Sequence, residues 1–337
     1  MTQENIARYF NALTQGAQAL SHDADLSMID GLIEVIADIN AGDVHHEQGK
    51  PTPAVTEQIQ NIIAKIDWQN ATSTDLRKAV QLAILKVNRD DQTQANHQIT
   101  PDGIGYLLAD LILQTAELKD GDTLLDFAVG TSNLLNTVNG IVEMNDIAVK
   151  RIGIDNDDIQ LALAAAADEL INHDTTTFYQ EDVVSLDADI PKAKVVIADL
   201  PVGYYPIQPE GAYITQADDG RSFVHQLMIE KSVDFVTDDG WIYLIVPANI
   251  LSDKDSKKLL QFVTNETRLK AFLQLPNDFF QDQRAAKAIL VLRKRDTIGN
   301  SEVLMGQYPT LKDIKALQKF LQDIKTWVKL DKEQDRA

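Results

Sequence analysis

The sequence predicts an alternating α/β fold with helices around a parallel sheet, preceded by an all-helical segment. Two observations carry this. Downstream of residue 120, short apolar runs rich in β-branched residues alternate with helical patterns and end in acids. Upstream of residue 95, apolar residues recur at helical spacing.

Residues 195–206, Val-Val-Ile-Ala-Asp-Leu-Pro-Val-Gly-Tyr-Tyr-Pro, are the most informative stretch. The apolar run reads as a buried strand. It stops at Asp199, where Leu200, Pro201, Gly203 and Pro206 follow and disfavour extension. A carboxylate, a proline ring and the tyrosines Tyr204 and Tyr205 are thus placed at the carboxyl end of a strand, where open α/β sheets bind ligands. A carboxylate and nearby carbonyls accept hydrogen bonds from an NH2 group, and tyrosines stack on flat rings. The competing reading is an acidic strand end followed by a surface turn.

Residues 123–135, Thr-Leu-Leu-Asp-Phe-Ala-Val-Gly-Thr-Ser-Asn-Leu-Leu, form a strand, a turn and a helix start. Asp126 ends the strand, Gly130 permits a tight turn, and Asn133 opens the helical pattern. The three glycines of a dinucleotide site and the Gly-Lys-Ser/Thr of a phosphate loop are both missing. With no lysine in the turn, the acid suits a cationic or zwitterionic ligand. The next strand, Arg151–Asp155, ends in an acid placed to hold a ribose. Asn156 or Asp157 then caps a helix over about 157–172. A third strand near Thr176–Tyr179 runs into Gln180, Glu181 and Asp182.

The chain resembles class I S-adenosylmethionine-dependent methyltransferases, specifically the N6-adenine DNA methylase-like family and its YtxK-type branch. The resemblance rests on the order Asp126-Phe-Ala-Val-Gly130, Asp155, Asp182 and Asp199-Leu-Pro-Val202, and covers roughly residues 96–310. It extends to the lead-in segment Gln98-Ile-Thr-Pro101-Asp-Gly-Ile-Gly105, to Gly240–Pro247, and to Leu275-Pro276, Phe279-Phe280 and Ala288–Arg293. It implies a Rossmann-like, seven-stranded, mostly parallel sheet with helices on both faces and an antiparallel last strand. Strands are expected near 123–126, 151–155, 176–180, 195–199, 241–246, 270–275 and 288–293.

The resemblance also implies S-adenosylmethionine as cofactor and no metal. Asp126 and Gly130 would wrap its methionine part, with Ala128 and Asn133 in the same segment. Asp155, followed by Asn156, would hold the ribose hydroxyls, and Asp182 the adenine amino group. Thr100 and Pro101 would line the carboxylate end. Asp199, Leu200 and Pro201 would grip the NH2 to be methylated, with Tyr204 or Tyr205 stacking. The departures from the family pattern are Phe127 for a proline, Ser132 for a second glycine, Leu200 for a second proline, and Val202 for an aromatic. A non-glycine residue at the Ser132 position implies ordinary backbone or a small strain.

The net charge of −20 opposes DNA, which draws on Lys and Arg at its phosphates. Arg284, Lys287, Arg293, Lys294 and Arg295 cluster in sequence and are read as a solvated loop and strand end rather than a basic groove. No cysteine is present, which excludes disulfides and thiolate–metal sites. The adjacent His45, His46 and Glu47 lack a spaced third ligand and are read as exposed. With neither a secretory pattern in residues 1–20 nor an apolar run of membrane-spanning length, a cytoplasmic protein is expected.

Residues 1–95 are read as a helical domain, 96–310 as the methyltransferase domain, and 311–337 as an amphipathic C-terminal helix and tail. Within the first, Ile6–Leu20 and Ile29–Ile39 have helical spacing, and residues 43–53 form a polar break. Helices follow over about 54–67 and 74–89, the second capped by Ser73 or Thr74. This domain would close over the cofactor, dimerise or hold a partner. Glu302–Met305 would add an edge strand, and Leu311, Ile314, Leu317, Leu321, Ile324 and Val328 trace the last helix. Asn139-Gly140 is expected to turn the chain between the first two strands. The functions that fit are adenine-N6 methylation of a nucleic acid, methylation of a protein amide or amine or of a small molecule, and a non-catalytic methyltransferase-fold interaction protein.

Overall fold

The computed structural model describes residues 3–91, 99–173, 176–186, 189–218, 220–252, 256–280, 282–295 and 302–334. Gln98 and the boundary expected at residue 95 lie outside the described residues. Four helices come first: α1 Gln3–Ala24, α2 Met28–Ala41, α3 Pro53–Lys65 and α4 Ser73–Asp90. The alternating part follows: α5 Asp102–Thr115, β1 Thr123–Asp126, α6 Asn133–Glu143, β2 Lys150–Asp155, α7 Asp158–Asn172, β3 Thr177–Gln180 and β4 Ala193–Asp199. The chain continues with α8 Val224–Phe235, β5 Val236–Pro247, α9 Lys257–Asn265, β6 Thr267–Gln274, β7 Lys287–Lys294, β8 Leu304–Gln307 and α10 Ile314–Gln334.

These elements divide into two compact units. The first takes residues up to Thr100, Val129–Asn136 and Asp155–Gln180; the second takes Pro101–Ala128, Thr137–Ile154 and Glu181 onward. In the first unit, local chemistry sets the helix ends. Ser27 caps α2 by accepting from the Asp30 N–H, and Gly42 closes it at φ 69°. Pro53 opens α3 instead of ending the polar break, because its fixed φ and missing N–H suit a first helical turn. The cap of α4 is Thr72, one residue before the expected Ser73 or Thr74; its hydroxyl accepts from the Asp75 N–H at 3.2 Å. Asp157 caps α7, accepting from the Gln160 N–H at 2.9 Å.

The core of this unit joins α1–α4 to α7: Leu13, Leu32, Ile36, Leu76 and Ile84 pack with Leu163, Ala167 and Ile171. Asn40 Nδ2 also donates to the Ala166 carbonyl at 2.9 Å. Helices α1 and α2 approach closely at Gly31, where a Cβ would lie 2.4 Å from the Ala17 carbonyl oxygen.

The sheet has eight strands in the order β3-β2-β1-β4-β5-β7-β6-β8. β1 pairs in parallel with β2 and β4, and β4 with β5. β7 is antiparallel to β5 and β6, as the resemblance implies for that strand. The count exceeds the expected seven because β8 pairs in parallel with β6. Its span is Leu304–Gln307, later than the expected Glu302–Met305. Val195, Val196, Ile197, Leu244, Ile245, Ile289 and Leu290 are fully buried, as strands covered on both faces require.

Asn139-Gly140 does not turn the chain. Both residues lie inside α6, and Asn139 Nδ2 donates to Glu143 Oε1, one turn on, at 2.8 Å. The helical spacing of the buried Leu135, Val138 and Val142 outweighs a two-residue turn signal. Leu311 precedes α10, which buries Ile324, Trp327 and Val328. The Lys270 ammonium on β6 lies 2.7 Å from Asp331 Oδ1 on α10, with both side chains buried. Among the described residues, no helix is long and apolar enough to cross a membrane.

Removing one member of this buried pair leaves the other charge in a dry site. Lys270→Ala is expected to cost about 3–5 kcal/mol of stability in chemical denaturation, whereas the double change Lys270→Met with Asp331→Leu should cost much less.

Candidate active site

The strand order reverses between β1 and β4, and both strands end in acids. Asp126 stands in register with Ile197, two residues before Asp199. Ligands of open α/β sheets bind at such a reversal, outside the carboxyl ends of the strands. Asp126 is buried, and its Oδ1 accepts from the Ala128 N–H at 3.1 Å. This bond turns the chain sharply off the strand. Phe127, which replaces a proline, is buried against Phe235 at 5.7 Å between ring centroids.

In the first unit, Gly130 has φ 48° and donates its N–H to Asp155 Oδ2 at 2.8 Å. A Cβ there would meet only Gln160 Oε1, 4.0 Å away, so the turn leaves open space for a ligand's approach. Asp155 Oδ1 also accepts from the Asp157 N–H at 3.1 Å. Burial pushes the Asp155 carboxyl above the usual range, although the backbone N–H groups of Asp157, Gly130 and Asn156 pull the other way. Asn133 opens α6 and donates to the Thr100 carbonyl at 2.8 Å, which joins two sequence-predicted residues. Pro101 is the N-cap residue of α5.

Ser132 carries the strain that its residue type implies. It is fully buried at φ 63°, a conformation that favours glycine, and its hydroxyl has no hydrogen-bond partner among the described residues. The chain keeps the tight turn without the residue that would make it relaxed.

In the second unit, Asp182 Oδ1 accepts from the Val184 N–H at 3.0 Å, and its Oδ2 accepts from the Tyr205 hydroxyl at 2.7 Å. Burial and the Asp182 charge push the Tyr205 hydroxyl up to about 12. Tyr205 is therefore a tether between Asp182 and the 199–205 loop rather than a stacking surface. Tyr204 is 57% exposed and its ring stacks on Phe223 at 4.7 Å. Pro201 is exposed, and Val202 is 54% exposed. Leu200 is buried, and its N–H donates to the Ile245 carbonyl at 3.1 Å. A proline would lack that donor, so leucine continues the pairing of β4 with β5 by one residue.

The basic cluster of the sequence is dispersed among separate partners. Arg284 grips Asp282, Lys294 pairs with Asp238, Arg295 donates to the carbonyls of Thr264 and Asn265, and the Arg293 guanidinium lies 5.0 Å from the centroid of the Trp241 ring. The Lys287 ammonium lies 2.6 Å from Asp199 Oδ1. Sequence reasoning missed this contact and the Tyr205–Asp182 bond; the only signal was a lysine directly before the apolar run 288–292. A cavity of about 770 Å³, lined by Tyr213, Glu210, Glu230, Phe262 and Lys294 among others, contains none of the predicted site residues.

The profile of the N-6 DNA Methylase family matches residues 84–334, and that of the YtxK N-terminal helical domain matches residues 7–87. The chain belongs to the N-6 DNA methylase family. It is 32% identical to YtxK of Bacillus subtilis strain 168 over 98% of this chain and all of that protein. A crystal structure from Listeria monocytogenes, assigned to the class I S-adenosylmethionine-dependent methyltransferases, is similar at a TM-score of 0.87 and 29% identity, covering 97% of this chain and 100% of that one. A type I restriction-modification methyltransferase subunit from Streptococcus thermophilus shares the fold at a TM-score of 0.62 and 15% identity, over 94% and 74% of the two chains. This N-6 DNA methylase family member is a methyltransferase.

The residues present fit the sulfonium cofactor of the family. Within the first unit, the open Gly130 turn admits close approach and Asp155 offers a carboxylate suited to hydroxyls; within the second, Asp126 and Asp182 offer carboxylates suited to an ammonium or an amino group.

Ser132→Gly is expected to raise stability by about 1 kcal/mol, because it removes both the left-handed strain and the buried hydroxyl. Thermal denaturation checks this; an unchanged or lower midpoint would mean that the turn is relaxed with serine.

Proposed function

We propose that this chain transfers a methyl group from S-adenosylmethionine to the exocyclic amino group of adenine in nucleic acid. The observation that carries the proposal is the 199–205 loop at the tip of β4. There an acid is held at the strand end, Leu200 is fixed through its N–H, and the exposed Tyr204 offers a flat ring. The family membership supports the adenine acceptor.

In this reading Asp126, Ala128, Gly130 and Asn133 hold the methionine part of the cofactor, with Thr100 and Pro101 at its carboxylate. Asp155 accepts from the ribose hydroxyls beside Asn156, and Asp182 accepts from the adenine amino group. When bound, the sulfonium supplies an activated methyl group. Asp199 and the Leu200 carbonyl accept hydrogen bonds from the substrate NH2 and so orient its lone pair. These acceptors bind more strongly as the nitrogen becomes positive, which lowers the barrier, and the nitrogen then loses one proton through Asp199 to solvent. Pro201 stiffens the loop, and Tyr204 stacks on the base. Residues 96–310 would form the catalytic domain, with 1–95 as a helical module and 311–337 as a packed C-terminal helix.

A second reading, methyl transfer to a protein amide or amine or to a small molecule, is favoured by the aliphatic Val202 and by the net charge of −20.

Calorimetry tests the cofactor assignment. Asp155→Ala should weaken S-adenosylmethionine binding by about 1–3 kcal/mol. Because the carboxyl of Asp155 protonates above its ordinary value of 3.8, wild-type affinity should fall as pH drops through that higher value. Asp155→Asn should lose this dependence. For chemistry, tritiated cofactor is offered to duplex DNA, single-stranded DNA, RNA and cell protein. Label in adenine that vanishes in Asp199→Ala, with cofactor affinity retained, is the expected result; label only in protein or small molecules would select the second reading.

A further inference from the structure

Lys287 is the first residue of β7, and its backbone is fixed on both sides. It stands in register with Pro247 of β5, and its carbonyl accepts the Leu275 N–H at 2.9 Å. The stem therefore starts from a set position, and the ammonium ends 2.6 Å from Asp199 Oδ1. The Lys287 side chain is 28% exposed and that of Asp199 15%, so the pair is reachable from solvent.

We propose that Lys287 is a specificity-determining residue that donates a hydrogen bond to ring nitrogen N1 beside the adenine amino group. This rests on the adenine reading given above. An ammonium has three donors, and Asp199 takes one. An NH2 group bound to Asp199 brings the adjacent lone pair of its ring towards the same ammonium. The Watson–Crick edge of a flipped base offers this donor–acceptor pair side by side.

Charge points the same way. Asp199 alone would attract an alkylammonium, but paired with Lys287 it presents no net charge, and a second cation would be repelled by the lysine. A neutral aromatic amine meets no such repulsion. A largely buried ion pair is by itself weak evidence for stability, because desolvation offsets the attraction.

The test uses single-stranded oligonucleotides that carry one adenine, 1-deazaadenine or 7-deazaadenine at the methylated position, with labelled S-adenosylmethionine. Wild type, Lys287→Met and Lys287→Arg are compared. With wild type, 1-deazaadenine should lose roughly ten- to hundredfold in kcat/KM, the expected effect of one hydrogen bond to a charged group, while 7-deazaadenine stays near adenine. Lys287→Met should lose a similar factor on adenine and nothing further on 1-deazaadenine. Lys287→Arg should recover part of the activity, and calorimetric cofactor affinity should be the same for all three proteins. Equal loss on both substrates in Lys287→Met, full wild-type activity on 1-deazaadenine, or a loss confined to 7-deazaadenine would overturn the role of Lys287 alone. A wild-type protein that labels no adenine would overturn the adenine reading and this role together.

Discussion

The parallel pairing of β1, β4 and β5 is the constraint on which the site depends. The buried middles of β1 and β4 are apolar, as strands covered on both faces favour, and their acids stand at the strand ends. Val195, Val196 and Ile197 fill the interior of β4, and Asp199 stands at its end. The pairing register then places Asp126 and Asp199 on the same edge, on either side of the reversal in strand order. The chemistry available at this edge follows from that placement.

Two departures from the family pattern have a local account. Phe127 fills an aromatic contact with Phe235. Leu200 supplies an N–H to Ile245 that proline could not. Ser132 shows no such compensation: it takes a left-handed conformation and, among the described residues, its buried hydroxyl has no partner. Where an aromatic would follow the proline, Val202 is exposed, and Tyr204 two residues on is braced by Phe223. The loop keeps an acid and a proline, and its exposed ring stands two residues after the position where the family pattern has an aromatic.

The N-terminal helices and the alternating part are less separable than their sequence patterns suggest. Helix α7 has the length and position of a crossover helix following the ribose-type acid, yet Leu163, Ala167, Leu170 and Ile171 belong to the same core as α1, α2 and α4. Its cap, Asp157, also donates its backbone N–H to Asp155. The helix that follows the candidate ribose acid is thus held by the N-terminal helices, so their packing and the geometry of that acid are linked through one element.

The alternating architecture, the strand-end acids Asp126, Asp155 and Asp199, and the helices were legible in the sequence, because apolar periodicity and caps act over a few residues. Sequence reasoning misread Asn139-Gly140, where a local turn signal was outvoted by the apolar face of α6. It placed the added edge strand at Glu302–Met305, two residues before β8, because a short strand at the edge has little apolar pattern to fix its ends. Which groups the acids meet depends on the three-dimensional packing. Lys287 and Asp199 are 88 residues apart, and Tyr205 and Asp182 are 23 apart. Such partners are set by strand order and register, and the pattern of a single strand does not encode its neighbour.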